Sequence, residues 1–268
     1  MAGHSFKVLG IGAETQDAFF VMPEFYSHEC VVQAATSAED HGGPVATALA
    51  VLRAHGHACV LLDSAQRARA VVLVRQRDGA RQIIFTPASA PEPMFEPHHL
   101  EGVRLLHING RHEQACRAAI ASAQERGIEI SFDGGAGRYR EGIRDLFAAS
   151  QVRIVSREFA EKASECSEIM EMARVLLQPP ARLLVITEGE RGSHVWAPDG
   201  SYFHQAASKA VPLVDTTGCG DVFHGAFLHG WMLRWPLERC AQYAADLAAK
   251  NAQGLGGRHV LREKFSFE

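Results

Sequence analysis

The sequence predicts a three-layer α/β fold, with a largely parallel central sheet between helices and a small β-sheet lid. Three observations carry this. From residue 104 onward, short apolar segments of strand length alternate with longer segments of helical periodicity, the pattern of parallel βαβ units with helices on both faces. Asp78-Gly79 and Asp199-Gly200 each lie between extended segments and predict hairpins. The segments before residue 90 break the alternation, which assigns them to a small separate sheet projecting from the main body.

Taken in order, residues 6–12 form an apolar first strand ending in glycine, and 29–35 a second extended stretch. A helix over 44–55 carries alanine and leucine on one face, and 58–62 returns as a short strand. Segments 70–75 and 82–85 flank Asp78-Gly79 as the lid hairpin, and the proline-rich stretch 87–97 leads back to the core. Strands then follow at 105–108, 128–132, 152–155 and 183–187, separated by helices at 113–126, 140–149 and 167–177. Residues 193–197 and 202–205 turn at Asp199-Gly200. Helices at 220–231 and 236–251 close the chain, the latter opening on Pro236, whose missing N–H costs nothing in a first turn. The chain reads as a single domain over 1–268, with lid segments near 14–36 and 66–90.

Lysine and arginine total 27 against 31 acidic residues, a net charge of -4. This gives none of the basic footprint of a nucleic-acid or membrane-surface binder. No apolar run approaches the roughly 18 residues that span a bilayer. The first residues lack the charged and apolar regions of a signal peptide, so a cytoplasmic location is expected. Six scattered cysteines without a CxxC pair suggest neither zinc knuckle nor disulfide framework. The fourteen histidines show no HExxH or His-x3-His spacing and read as ordinary polar residues, leaving metal ligands unassigned.

Chemistry concentrates in VDTTGCGDVFHGAF, residues 214–227, where a strand end runs through Gly218-Cys219-Gly220 into a helix. Glycines let a ligand approach the backbone. The first helical N–H groups have no internal partner, and the helix dipole adds positive potential, so such a terminus binds phosphate. Asp221 stands in that turn, where a carboxylate would repel phosphate. Two readings follow: a general base that takes the proton of a substrate hydroxyl, or a helix cap.

The segment DTTGCGDVF closely resembles the signature of the ribokinase-like (pfkB) carbohydrate kinases, with Cys219 in place of the usual alanine. The resemblance implies the ribokinase-like fold, ATP and Mg2+ as cofactors, a small-molecule sugar substrate, and transfer of phosphate to a sugar hydroxyl. It makes Asp221 the base and Gly218, Cys219 and Gly220 the anion hole. Other segments follow the family's order across nearly the whole chain. Asp17 matches the aspartate that holds substrate hydroxyls, and Gly42-Gly43 the di-glycine against which substrate lies. Thr187, Gly189 and Gly192 match the loop along the nucleotide, and Asn251 falls beside the adenine pocket. LLHINGRHEQA and VSREFAEK resemble ketohexokinases, whereas GGPVATA with the main signature and GGR resembles sulfofructose kinases. In the latter comparison Arg111 falls where an arginine reaches the ATP phosphates, a role that suits a guanidinium.

Three departures from the family stand out. Pro44 and Thr47 replace an asparagine after the di-glycine. Ser156-Arg157-Glu158-Phe159 replaces the Asn-x-x-Glu that organises water around magnesium, although Glu158 stands one position away. Only residues 63–69 separate the strand at 58–62 from the lid, where the family has a loop and a helix; a parallel crossover needs about a dozen residues. Alternatives are a nucleoside kinase, with Phe19, Phe20, Phe25 and Tyr26 as a base pocket, and a non-catalytic homologue. Exposed lid strands would invite a homodimer.

Overall fold

The computed structural model describes residues 5–262, and within them two sheets form. The larger has eight strands in the order β12-β11-β10-β9-β8-β7-β1-β4. Its parallel body comprises β1 (Lys7–Ile11), β4 (Ala58–Leu62), β7 (Val103–Ile108), β8 (Glu129–Gly134), β9 (Val152–Ser156) and β10 (Leu183–Thr187). The hairpin β11 (Ser193–Trp196) and β12 (Tyr202–Gln205) adds antiparallel strands at one edge. Successive residues of a strand face opposite sides. Val8, Leu105, Ile154 and Val185 therefore join one buried apolar layer, and Leu9, Leu106, Val155 and Ile186 the other.

Helices α1 (Pro44–Ala54), α6 (Cys219–Met232) and α7 (Leu237–Asn251) cover the first layer. Helices α2 (Glu113–Glu125), α3 (Arg144–Ala148), α4 (Arg157–Ser164) and α5 (Ile169–Leu176) cover the second. The predicted helix at 140–149 is a 3-10 turn, Glu141–Ile143, followed by the short α3. Helix α4 was not expected. Ser156 caps it by accepting the Phe159 N–H at 3.2 Å, so the motif-like Ser156-Arg157-Glu158 is also a helix start.

The lid has the order β3-β2-β5-β6, built from β2 (Thr15–Met22), β3 (Thr36–Gly42), β5 (Ala68–Arg75) and β6 (Arg81–Thr86). The Asp78-Gly79 hairpin is present, but the predicted strand at 29–35 is not. Apolarity misplaced it: Val31 is fully exposed, and the charged run 36–42 supplies the lid's edge strand instead. Charge suits an edge, where it discourages unwanted pairing. Strand β2 alternates inward and outward residues, burying Phe19 and Val21 with Val72 and Val74 of β5.

No helical crossover follows β4. That strand ends the main sheet, and the chain passes directly into the lid. Asp63 makes the joint, accepting the Glu14 N–H at 2.8 Å, the Ser64 N–H at 2.7 Å and a hydrogen bond with His112 Nε2 at 2.9 Å. Among the described residues no helix is long and apolar enough to cross a membrane. The leaderless reading of the N-terminus falls partly on residues 1–4, outside the described residues.

Candidate active site

The carboxyl ends of β1, β7, β8, β9 and β10, the lid face and the start of α6 enclose a cleft of about 730 Å³. Ligands of open α/β sheets bind at this end of the strands. The cleft brings together Asp17, Gly42, Gly43, Arg111, Thr187, Gly189, Gly218, Gly220 and Asp221. Cys219, Gly192 and Asn251 do not line it.

The turn into α6 is braced from beneath. Asp215, fully buried, accepts the Thr217 N–H at 2.8 Å and the Gly256 N–H at 3.0 Å. Asn251 donates to the Thr217 carbonyl at 3.0 Å and accepts the Val260 N–H at 3.1 Å, tying α7 to the turn. Gly218 is the helix N-cap with φ 72°, and an added Cβ there would lie 2.2 Å from the Gly257 carbonyl oxygen. Only glycine meets both demands.

This geometry separates the two readings of Asp221. Gly218 occupies the cap, no side chain caps this helix end, and Asp221 stands in the first turn facing the cleft. The amides of Gly220 and Asp221 have no acceptor among the described residues, whereas the Val222 N–H already bonds to the Gly218 carbonyl at 2.8 Å. The half-buried Asp221 carboxyl is pushed up to about 6 by burial, partly opposed by Arg138 and reinforced by Asp133.

On the lid side, Asp17 is 7% exposed and its Oδ1 is buried without a partner among the described residues. Burial raises its pKa, the Thr15 hydroxyl opposes that shift, and Asp40 adds to it. A Cβ on Gly42 would lie 2.1 Å from Asp17 Oδ2, so this glycine makes room for the carboxylate. A Cβ on Gly43 would meet the Ala13 carbonyl oxygen at 2.0 Å. Thr47 is engaged by Arg258, whose Nε donates to its hydroxyl at 3.1 Å while Nη1 pairs with Glu14.

Four arginines line the cleft, Arg81, Arg111, Arg138 and Arg140, in a chain of net negative charge. Arg111 lies over the Phe85 ring at 5.5 Å. Arg140 is held by Glu113 and the Gly110 carbonyl, and Arg81 reaches from the lid to the Thr216 hydroxyl. Arg138 makes no side-chain hydrogen bond among the described residues. Its loop is positioned by Glu158, which accepts the Gly137 N–H at 3.1 Å and pairs with Lys162 at 2.7 Å.

Thr187 and Gly189 open towards the cleft, and the Gly189 Cβ position meets nothing within 4 Å. Their loop is anchored by Glu188, which pairs with Arg157 at 2.6 Å, His194 at 3.0 Å and Arg191 at 3.2 Å. Burial works against the Glu188 charge, but these partners hold its pKa at about 2. Gly192 shapes the hairpin instead, since a Cβ would lie 2.0 Å from the Gln205 carbonyl oxygen.

Sequence reasoning missed Asn109, Asp133, Arg138 and His224, all of which line the cleft. His224 lies in the signature segment, but Asp133 and Arg138 carry no spacing signal and meet it only through sheet order. None of Phe19, Phe20, Phe25 and Tyr26 reaches the cleft; its aromatic side chains besides His224 are Phe85 and Tyr139.

Comparison with known proteins gives a consistent result. The model of the pfkB family carbohydrate kinases matches residues 47–264. The ATP-dependent ribose-1-phosphate kinase of Halopiger xanaduensis is 29% identical over 191 residues, covering 70% of this chain and 59% of that protein. The chain thus spans about three-fifths of that relative's length. Ribokinase from Cryptococcus neoformans var. grubii serotype A, in complex with ADP, superposes with a TM-score of 0.76 at 17% identity, covering 96% of this chain and 97% of that one. The Burkholderia thailandensis nucleoside kinase in complex with inosine gives 0.76 at 17% identity, covering 95% and 92%.

Proposed function

The chain belongs to the pfkB family of carbohydrate kinases, and from that premise we propose that it phosphorylates a hydroxyl of a small, ketose-like sugar using ATP, with Asp221 as general base. One observation carries the reading: a half-buried carboxylate facing the cleft stands beside two unpaired helix-terminal amides.

The cleft fits a polyphosphate. Among the described residues the amides of Gly220 and Asp221 are donors without acceptors, Gly220 leaves its Cβ direction open, and Arg111 and Arg138 supply positive charge alongside. The ATP phosphates would lie at the 218–220 turn, with the nucleotide running towards Thr187 and Gly189. Mg2+, a hard cation that prefers oxygen ligands, would supply positive charge that offsets the phosphates.

On the sugar side, the unpartnered Asp17 Oδ1 is an acceptor suited to a substrate hydroxyl, since a buried polar atom left unpaired costs about 1–3 kcal/mol. Asp221 then takes the proton from the hydroxyl that attacks the γ-phosphate. The orphan amides stabilise charge developing on the transferred group, and Arg138 balances the carboxylates around it. The lid places Ile83 and Phe85 across the cleft, where they would exclude water from the transfer.

The nucleoside alternative loses its four candidate aromatics, although Phe85 and Tyr139 remain available. A non-catalytic homologue has no reason to keep an uncapping, cleft-facing Asp221. The exposed edge strand β6, with Ile83, Ile84 and Phe85, supports a homodimer paired through that edge of the lid.

ADP release across a panel of ketoses, aldoses, sulfosugars and nucleosides tests the assignment. A ketose-like sugar should give the highest kcat/KM. Preference for a nucleoside would move the reading to the alternative, and ATP binding without turnover on any member would overturn catalysis. The pH profile is a second test. The base works as carboxylate, so protonation removes activity. With its pKa raised to about 6, kcat/KM should fall tenfold per unit below about pH 6 and level off above it. An acid limb near pH 4, the ordinary aspartate range, would remove Asp221 from that role.

A further inference from the structure

Beneath the cleft floor, His107 of β7, Asp133 of β8 and His224 of α6 converge. One donor atom from each lies within 4.8 Å of the others, and all three residues are buried, at 0%, 1% and 4% exposure. The polar atoms facing the cluster are His107 Nε2, Asp133 Oδ2 and His224 Nδ1, and each is buried with no hydrogen-bond partner among the described residues. Asp133 and His224 pair only loosely with each other and His107 Nε2 has no partner among the described residues, which is unusual because buried polar groups are almost always hydrogen-bonded.

We propose that this trio binds one divalent transition-metal ion. Nδ1 of His224 and Oδ2 of Asp133 are 3.4 Å apart, long for a charge-assisted hydrogen bond. That separation is close to the edge of a tetrahedron of ligands about 2.0–2.1 Å from a central ion, roughly 3.3 Å. His107 is already oriented for the task. Its Nδ1 is hydrogen-bonded to the Ser131 hydroxyl at 3.1 Å, leaving Nε2 to the cluster, as an outer partner fixes a metal-ligating imidazole.

Two imidazoles and one carboxylate select zinc-like ions over Mg2+, which prefers oxygen ligands. Asp133 and His224 also line the cleft, so the ion has an entry path and an open coordination position on the side of Asp221. Nothing in the site requires phosphoryl transfer, and its test uses no turnover, so its failure is distinct from failure of the kinase reading.

Chelator-stripped protein titrated with Co2+ should take up one equivalent per chain, with the visible absorption of tetrahedral Co2+, and millimolar Mg2+ should not displace it. Anomalous diffraction from Co2+-loaded crystals should place the ion among the three side chains. His107→Ala and His224→Ala should each weaken uptake by at least roughly tenfold. The proposal fails if the wild type takes up no stoichiometric metal, if Mg2+ competes at equal concentration, or if affinity is unchanged in both variants. An anomalous peak found only at surface histidines would overturn it equally, and that measurement stands even where a variant does not fold.

Discussion

Asp221→Asn is expected to lower kcat by about 10²–10⁴-fold with nucleotide affinity kept or slightly tightened. Asparagine preserves the shape and the bonding reach of the side chain but accepts no proton. It also removes a negative charge from beside the proposed phosphate site, so ATP binding has no reason to weaken. Stability should hold, because Gly218 and not Asp221 caps α6, and among the described residues no side chain, Asp221 included, caps that helix end. Loss of kcat with unchanged ATP affinity and unchanged Tm therefore isolates the proton-transfer role. The acid limb of kcat/KM near pH 6 should vanish from the residual activity of the same variant. Normal turnover by Asp221→Asn would end the general-base assignment, and loss of ATP binding would show that the residue organises the turn instead.

Much of this arrangement was legible in the sequence, for identifiable reasons. Strands β7 to β10 are buried on both faces and read as short apolar runs, with regular helical segments between them. The turn at 218–220 was legible through its two glycines, and at Gly218 two separate demands, a left-handed backbone and close approach, both select that residue. The lid was only half legible. Strand β2 alternates in burial over its eight residues but not in polarity, since Phe20 and Met22 face outward, and β3 carries charge on an exposed edge, so apolarity pointed to residues 29–35 instead. Asn251 was placed beside the adenine pocket by the family resemblance alone. Its side chain holds the 217–220 turn from behind, a contact set by packing between α7 and residue 217.

The convergence of His107, Asp133 and His224 had no local signature. Its members lie on two adjacent strands and the helix that crosses them, and only sheet order brings them together. Histidine spacing along the chain reports sites built on one helix or one loop, and this cluster is built on neither. The same holds for Arg138, which acts on Asp133 and Asp221 through space from the loop after β8.

Gly220→Ala is expected to separate activity from stability in the opposite sense to most glycine substitutions. A Cβ at this position meets nothing within 4 Å, and the residue is exposed to the cleft in the first turn of α6. Alanine in a helix is favoured over glycine by roughly 0.5–1 kcal/mol, so Tm should stay level or rise by about 1–3 °C. The methyl group, however, projects into the space where, in the proposed mode, the terminal phosphate lies against the amides of Gly220 and Asp221. A displacement of about 1 Å there would cost about 10²-fold in kcat/KM. Gly218→Ala provides the contrast, since its Cβ would strike the Gly257 backbone and the chain would lose stability as well as activity. Wild-type kcat/KM in Gly220→Ala would mean that phosphate docks elsewhere, whatever the fate of Asp221. A fall in Tm would mean that the open space is filled by the protein itself. Because the substitution touches no other side chain, a slower but equally stable enzyme can be explained only by a ligand pressed against that backbone.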